Sequence, residues 1–148
     1  MQTFLPYPSF AESARCLDDR RLGKQRVEVL QILRALRGET RGWRNHPATK
    51  MWEGYQDTLI SYGIAVCLEW RRRGYNDGVL DQLWQYTAST PFDTSHPPWF
   101  HNLRFHEAHQ ASLYQKDPKH YSQFKNAIAR PCCDRCKYYW PTHTEKER

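Results

Sequence analysis

The feature that most constrains the fold is a charge-dense segment that continues directly into a helical apolar repeat, over residues 17–36. Its first twelve residues, 17–28, contain four cations, three carboxylates and one amide. From Leu22 onward, apolar groups recur at the spacing of one face of an α-helix. These positions are Leu22, the stem of Arg26, Val29, Leu33 and Leu36, and another face carries Arg21, Lys24, Gln25, Glu28 and Gln31. The pattern predicts an amphipathic helix with one packing face and one polar face.

Two interpretations of the polar face remain open at this point. The first is a solvated surface with ion pairs one turn apart, such as Lys24 with Glu28, and the helix pattern alone favours it. The second is a reactive site, because a dense set of proton donors and acceptors exceeds what a solvated surface needs. That set comprises Asp18, Asp19, Arg21, Lys24, Gln25 and Glu28.

Length and charge narrow the class of protein. A chain of 148 residues is the size of one ordinary domain, and we expect one domain over residues 1–148 with a cysteine-containing aromatic tail from about residue 130. Lys and Arg outnumber Asp and Glu by 22 to 16, which gives a net charge of +6. This excess favours a polyanionic partner, and nucleic acid is the first candidate.

The sequence contains no sign of a membrane or secretory segment. No apolar run approaches the roughly 18 to 20 residues that span a bilayer, and the first residues lack the basic start and apolar core of a signal peptide. Five cysteines, with Cys16 and Cys67 isolated, do not suggest a disulfide framework. We expect a cytoplasmic protein with no membrane partner.

The remaining pattern predicts an all-α fold of about three main helices with long loops. Pro6 and Pro8 stand among apolar residues in segment 1–10, which predicts an arm packed against the helices. The predicted helical segments are 11–17, 22–36 ending near Gly38, 49–73, and one that starts after residue 99, carries 105–114 and ends before Pro118. No segment has a strand signal strong enough to assign.

Basic and aromatic residues outside the first helix form candidate nucleic-acid contacts. Arg71, Arg72 and Arg73 suit either a helix C-terminus or phosphate contacts. In the C-terminal tail, cations alternate with aromatic side chains, which suits base stacking alongside phosphate neutralisation. The full predicted set is Arg20, Arg26, Arg41, Arg44, His46, Arg71, Arg72, Arg73, His106, Lys137, Tyr138 and Tyr139.

Several segments in fixed order resemble a known family. They are Leu17 with Arg26-Val27, Lys50-Met51-Trp52 with Tyr55, Arg71 to Asn76, His106-Glu107-Ala108, and Arg130-Pro131 with Tyr138-Tyr139. This series resembles the phage pyrimidine-dimer DNA glycosylase/AP-lyase family of the endonuclease V type. The start Met1 to Pro6 and the run Arg21 to Arg26 resemble more closely a bacterial and phage branch grouped with that family.

The resemblance implies an all-α fold whose N-terminus threads between helices and whose α-amine attacks the sugar C1′ of a damaged pyrimidine nucleotide. It also implies a catalytic glutamate on the first long helix, with arginines nearby. In the ungapped match that glutamate position falls on Gly23, which leaves Glu28, or Asp18 and Asp19, as substitutes. Because residue 2 is Gln rather than Thr, the amine would belong to Met1, with Lys24 as the other candidate.

The predicted function is therefore base excision by a DNA glycosylase, with or without AP-lyase activity, on a damaged or modified pyrimidine extruded from double-stranded DNA. A monomer is expected. The candidate catalytic residues are Met1, Asp19, Arg21, Lys24, Gln25 and Glu28. The alternative is a non-catalytic nucleic-acid-binding module on the same scaffold, favoured by the departures at positions 2 and 23.

No cofactor is expected, although one zinc alternative exists. Cys133 and Cys136 have the two-residue gap of a zinc knuckle, and Cys132 with His143 or His120 would complete four ligands. Only one spaced cysteine pair is present, so buried free thiols are the favoured interpretation. For His106 and His109, three residues apart, hydrogen bonding is favoured over metal binding.

Overall fold

The computed structural model describes residues 2–87, 93–131 and 138–141, and these residues form helices without any strand. The α-helices are α1 (Phe10–Cys16), α2 (Asp19–Leu36), α3 (Pro47–Lys50), α4 (Gln56–Arg72), α5 (Val79–Gln85) and α6 (Leu103–Lys116). Two 3₁₀ turns cover Pro98–His101 and Ser122–Phe124. The predicted all-α class is confirmed. In this described part, no helix is long and apolar enough to cross a bilayer.

Helix α2 is the predicted amphipathic helix, with defined ends. Asp18 caps its N-terminus by accepting a hydrogen bond from the backbone nitrogen of Arg21 at 3.4 Å. Gly38 follows its C-terminus at φ 76°, a left-handed conformation that glycine adopts without steric cost. The apolar face is buried in the core, where Leu22, Val29 and Leu33 are fully buried.

The single helix predicted over 49–73 is wrong, because this segment contains two helices. A turn separates α3 from α4, and Gly54 within it has φ 84°. The apolar spacing continues through the turn because Met51 and Trp52 still point into the core, where Trp52 is fully buried. The apolar spacing of the sequence therefore continues past Lys50, where the helical backbone of α3 ends.

Two glycines allow close packing around α2 and α4. A Cβ atom on Gly63 of α4 would lie 2.7 Å from Cγ1 of Val29 and 2.8 Å from Cδ1 of Leu83. A Cβ atom on Gly23 of α2 would lie 2.9 Å from Cη2 of Trp70. Real Cβ atoms do not approach other atoms this closely, so a methyl group at either position requires a neighbour to move.

The N-terminal arm, residues 2–6, is buried between α2, α4 and α6, as the sequence predicted. The backbone nitrogen of Phe4 donates to Oε1 of Gln25 on α2 at 3.0 Å, and the hydroxyl of Tyr62 on α4 donates to the carbonyl oxygen of Phe4 at 2.8 Å. On α6, Nδ1 of His109 accepts from the backbone nitrogen of Leu5 at 2.8 Å. Hydrogen bonds to three helices thus fix the path of the arm.

Candidate active site

The arm and the polar face of α2 border a cavity of about 350 Å³. This volume lies within the range of roughly 300 to 1,000 Å³ that is usual for ligand sites. The lining residues are Gln2, Phe4, Arg20, Arg21, Lys24, Gln25, Glu28, Lys116 and Tyr138. Six of the predicted candidates therefore meet at one cavity, five of them on α2 and the sixth, Tyr138, in the C-terminal segment.

Among the described residues that line this cavity, Glu28 is the only one with a carboxylate. Its side chain is 8% exposed, and Oε2 accepts hydrogen bonds from the backbone nitrogen of Gln2 at 3.3 Å and from Nε2 of Gln25 at 2.9 Å. Oε1 lies 3.7 Å from Nζ of Lys24. A buried, oriented carboxylate of this kind can stabilise a nearby positive charge or exchange a proton with a bound group.

Gln25 holds Glu28 and the arm in fixed relative positions. Its Nε2 donates to the carbonyl oxygen of Gln2 at 2.7 Å as well as to Glu28, and its Oε1 accepts from Phe4 and lies 2.8 Å from the hydroxyl of Tyr62. Burial raises the pKa of Tyr62 well above its ordinary value, so this hydroxyl remains a donor. The amide of Gln25 is therefore satisfied at both ends.

Cations surround the mouth of the cavity. Nη1 of Arg21 lies 3.2 Å from Oδ1 of Asp18, whereas the side chain of Lys24 is 71% exposed. Arg20 and Lys116 complete the set, and Nζ of Lys116 lies 5.9 Å from the ring centroid of Tyr138. This arrangement suits a phosphate backbone that passes over the opening.

The packing of Gly23 explains why the glutamate position implied by the ungapped match holds no carboxylate. A Cβ atom there is directed at the indole of Trp70, and Gly23 does not line the cavity. Among the three proposed substitutes, the structure brings only Glu28 to the cavity. Glu28, one helical turn after Lys24, is therefore the carboxylate that meets the arm.

Asp18 and Asp19 serve contacts elsewhere. Burial alone would raise the pKa of Asp18, but hydrogen bonds from the hydroxyl of Tyr121 and from Arg21 outweigh it and hold the pKa below its usual range. Asp19 accepts from the hydroxyl of Tyr75 at 2.6 Å and from Nη1 of Arg73 at 2.8 Å, and these bonds lower its pKa. Neither carboxylate lines the cavity.

Four predicted phosphate-binding arginines are held in ion pairs. Nη1 of Arg26 lies 2.5 Å from Oδ1 of Asp77, and Nε of Arg71 lies 3.3 Å from Oδ2 of the same carboxylate. Nη2 of Arg72 and Nε of Arg73 lie 2.6 Å and 3.0 Å from Oε1 of Glu69. A phosphate would have to compete with these carboxylates.

Arg41 and Arg44 differ from those arginines. Both are exposed in the loop between α2 and α3, and within residues 2–87, 93–131 and 138–141 neither has a carboxylate partner. His46, at the end of this loop, caps α3 by accepting a hydrogen bond from the backbone nitrogen of Ala48 at 3.0 Å. Burial lowers the pKa of His46, which favours the neutral form that can accept this bond.

His106 and Tyr139 are buried rather than presented at the surface. Nδ1 and Nε2 of His106 lie 2.6 Å and 2.5 Å from the carbonyl oxygens of Leu5 and Phe100. Carbonyl oxygens only accept, so a ring nitrogen that carries hydrogen donates to the oxygen it faces. The hydroxyl of Tyr139 accepts from Nδ2 of Asn102 at 3.0 Å. Both residues bind internal partners in this structure.

Several predictions fall on residues outside the described ranges. These residues are Met1, Lys137, Cys132, Cys133, Cys136 and His143. Cys16 and Cys67 are free thiols, and burial raises the pKa of each to about 12. Within the described ranges, no three His, Cys, Asp or Glu side chains come together as a metal site.

Sequence reasoning missed three residues that line the cavity, namely Gln2, Phe4 and Lys116. Gln2 had one available signal, its position next to the predicted nucleophile. Lys116 had no such signal, because it lies at the end of α6, far from α2 in the sequence, and only tertiary packing brings it to the cavity.

Comparisons with known proteins point to one family. The family model described as pyrimidine dimer DNA glycosylase matches residues 1–83. The match covers more than half of the chain and includes the arm, α2 and Glu28. No curated protein and no solved structure matches the chain.

Proposed function

The chain belongs to the pyrimidine dimer DNA glycosylase family, and we propose that it excises a damaged or modified pyrimidine from double-stranded DNA at the cavity between the arm and α2. We propose that it acts as a monomer. The proposal joins family membership to one observation, the buried carboxylate of Glu28 beside the backbone nitrogen of Gln2.

The chemistry of excision requires such a carboxylate. The bond between C1′ and the base nitrogen breaks, its electron pair leaves with the base, and positive charge develops on the sugar. A negatively charged oxygen near the sugar stabilises that charge, and a protein carboxylate that is oriented beforehand does so without reorganisation. Glu28 is oriented by Gln25, Gln2 and Lys24, so we assign it this role.

The cationic mouth supports the binding step. A glycosylase must hold the duplex while one nucleotide rotates out of the stack into a pocket. Arg20, Arg21, Lys24 and Lys116 border the cavity and can bind the phosphates around an extruded nucleotide. Gln25 acts as a positioning residue in this scheme, because it bonds to Glu28 and to the arm rather than facing solvent.

The nucleophile distinguishes two forms of the enzyme. If an amine attacks C1′ and displaces the base, loss of the amine proton and opening of the C1′–O4′ bond give a Schiff base. Removal of a C2′ proton then breaks the C3′–O bond, the 3′-phosphate leaves, and the result is lyase activity. The candidates are the α-amine of Met1 and Nζ of Lys24, which lies 3.7 Å from Oε1 of Glu28. If water attacks instead, the product is an intact abasic site.

Borohydride trapping on a duplex with one abasic site separates these forms. A bifunctional enzyme leaves a covalent protein–DNA adduct and nicks the strand before alkali treatment. A monofunctional enzyme leaves no adduct, and when it is incubated with duplex carrying a cyclobutane thymine dimer, nicks appear only after alkali. Salt-sensitive binding without adduct or excision on either duplex would support the non-catalytic nucleic-acid-binding module instead.

A further inference from the structure

Trp43 has an unusual backbone conformation and an exposed side chain. Its φ is 67°, and across residues 2–87, 93–131 and 138–141 it is the only non-glycine residue with a positive φ. Its side chain is 48% exposed. A bulky aromatic residue rarely adopts this conformation, and such conformations concentrate at sites that bind ligands.

His46 holds Trp43 in this conformation. The backbone nitrogen of His46 donates to the carbonyl oxygen of Trp43 at 3.0 Å, and the two rings meet edge to face with centroids 5.4 Å apart. His46 is itself fixed by its cap bond to Ala48. The indole is therefore presented to solvent in a defined orientation.

The charge around Trp43 fits a polyanion. Arg41 and Arg44 lie within two residues of Trp43 in the sequence and are exposed, and in the described part of the chain no carboxylate pairs with either of them. Arg72, by contrast, is paired with Glu69. A loop that carries an exposed aromatic ring and two exposed arginines without carboxylate partners suits a stacked base with phosphates nearby.

A series of ring contacts connects this loop to the cavity. The centroids of His46 and Trp140 are 5.7 Å apart, and those of Trp140 and Tyr138 are 5.6 Å apart. Tyr138 lines the cavity. Because one turn of B-DNA is about 34 Å long, the cavity and the Trp43 loop can contact the same turn of a duplex.

We propose that Trp43 is a wedge that enters the base stack beside the extruded nucleotide. Extrusion leaves a gap in the stack, and an inserted aromatic ring replaces the lost stacking contacts and keeps the nucleotide from returning. This inference rests on the proposed function, because a wedge is needed only where a nucleotide is extruded.

The test uses a duplex that carries tetrahydrofuran, a stable abasic analogue, next to 2-aminopurine, whose fluorescence falls when an aromatic ring stacks on it. Fluorescence anisotropy of a labelled strand measures binding to the same duplex. The variants are Trp43→Ala and Trp43→Gly, of which the glycine tolerates the positive φ. Trp84→Ala is the matched control, because Trp84 is also an exposed tryptophan, at 53%, but lies on α5.

The native protein and Trp84→Ala should lower 2-aminopurine fluorescence equally. Both Trp43 variants should lose most of that decrease and bind about tenfold more weakly, as expected for one lost aromatic–base stack, while Trp43→Phe should recover part of it. Native protein that binds without lowering the fluorescence, or Trp43 variants that lower it as the native protein does, would overturn the wedge alone. Native protein that does not bind this duplex at low salt would overturn both the wedge and the proposed function.

Discussion

Oε2 of Glu28 lies 3.3 Å from the backbone nitrogen of Gln2, so the carboxylate of α2 and the N-terminal arm meet at the edge of one cavity. The two residues are 26 positions apart in the sequence, so tertiary packing rather than local structure brings them together. The arm covers the polar face of α2 and converts part of it from a solvated surface into a buried site.

Glu28→Gln should reduce base excision by about a hundredfold or more, the usual contribution of a positioned acid or base, while the fold and DNA affinity persist. The amide keeps the shape of the side chain and one acceptor for Gln2 but removes the charge that stabilises the sugar cation. Single-turnover excision measures the effect. Glu107→Gln, an exposed change of the same chemistry on α6, should leave the rate unchanged. Equal rates in both variants would remove Glu28 from the mechanism.

A carboxylate placed at position 23 should not recover the base excision that Glu28→Gln loses. A side chain at Gly23 meets Trp70, with its Cβ atom 2.9 Å from Cη2, and does not point to the cavity. We therefore expect Gly23→Glu combined with Glu28→Gln to be both inactive and less stable than Glu28→Gln. Excision rates and thermal unfolding report the two effects separately. Recovered excision would assign the catalytic position to residue 23.

Gly63→Ala should destabilise the protein by about 1 to 3 kcal/mol through overpacking. The added methyl group would lie 2.7 Å from Cγ1 of Val29 and 2.8 Å from Cδ1 of Leu83, in the interior of the helix packing. Gly42→Ala is the control, because no atom lies within 4 Å of the Cβ position at Gly42. Urea unfolding of both variants measures the difference, and similar stabilities would contradict the close approach at Gly63.

Stability should fall as the pH drops below about 6.5 because of His109. Burial, with a smaller contribution from His106, lowers the pKa of His109 from 6.5 to about 3 in the folded protein. Between these values the unfolded chain binds a proton that the folded chain excludes, so the stability that the neutral ring provides is lost at about 1.4 kcal/mol per pH unit. Urea unfolding between pH 7 and pH 4.5 measures it.

His109→Gln supplies the comparison for this pH dependence, because its amide oxygen can still accept from the backbone nitrogen of Leu5. The variant should lose less stability than the native protein over the same pH range. The acidic groups with lowered pKa values, such as Asp18, contribute mainly below this range. Parallel pH profiles for the two proteins would show that His109 does not carry the effect.

Duplex affinity should fall steeply with salt, and the arginines should contribute unequally. Arg41→Gln and Arg44→Gln should each reduce the log–log salt slope by about 0.9 if each removes one phosphate contact. Arg72→Gln should change the slope less, because Glu69 already pairs with Arg72 at 2.6 Å. Anisotropy titrations at several salt concentrations measure the slopes. Equal changes in all three variants would mean that Glu69 releases Arg72 on binding.

The sequence by itself determined the features that depend on local periodicity and composition. The apolar repeat of α2, the glycine after its C-terminus and the proline-containing arm predicted the all-α fold and the buried arm, because these patterns depend on neighbouring residues. The same periodicity wrongly predicted a single helix over 49–73, because the buried side chains of Met51 and Trp52 continue the apolar pattern into the turn at Gly54 that separates α3 from α4.

Only the tertiary structure decided which polar residues form the site. Periodicity places Glu28 and Asp19 on helix α2, but long-range contacts determine that Glu28 meets the arm while Asp19 pairs with Arg73. Lys116 reaches the cavity from a distant helix in the same way. The burial and partners of a charged side chain depend on which segment covers it, and for Glu28 that segment is the N-terminal arm.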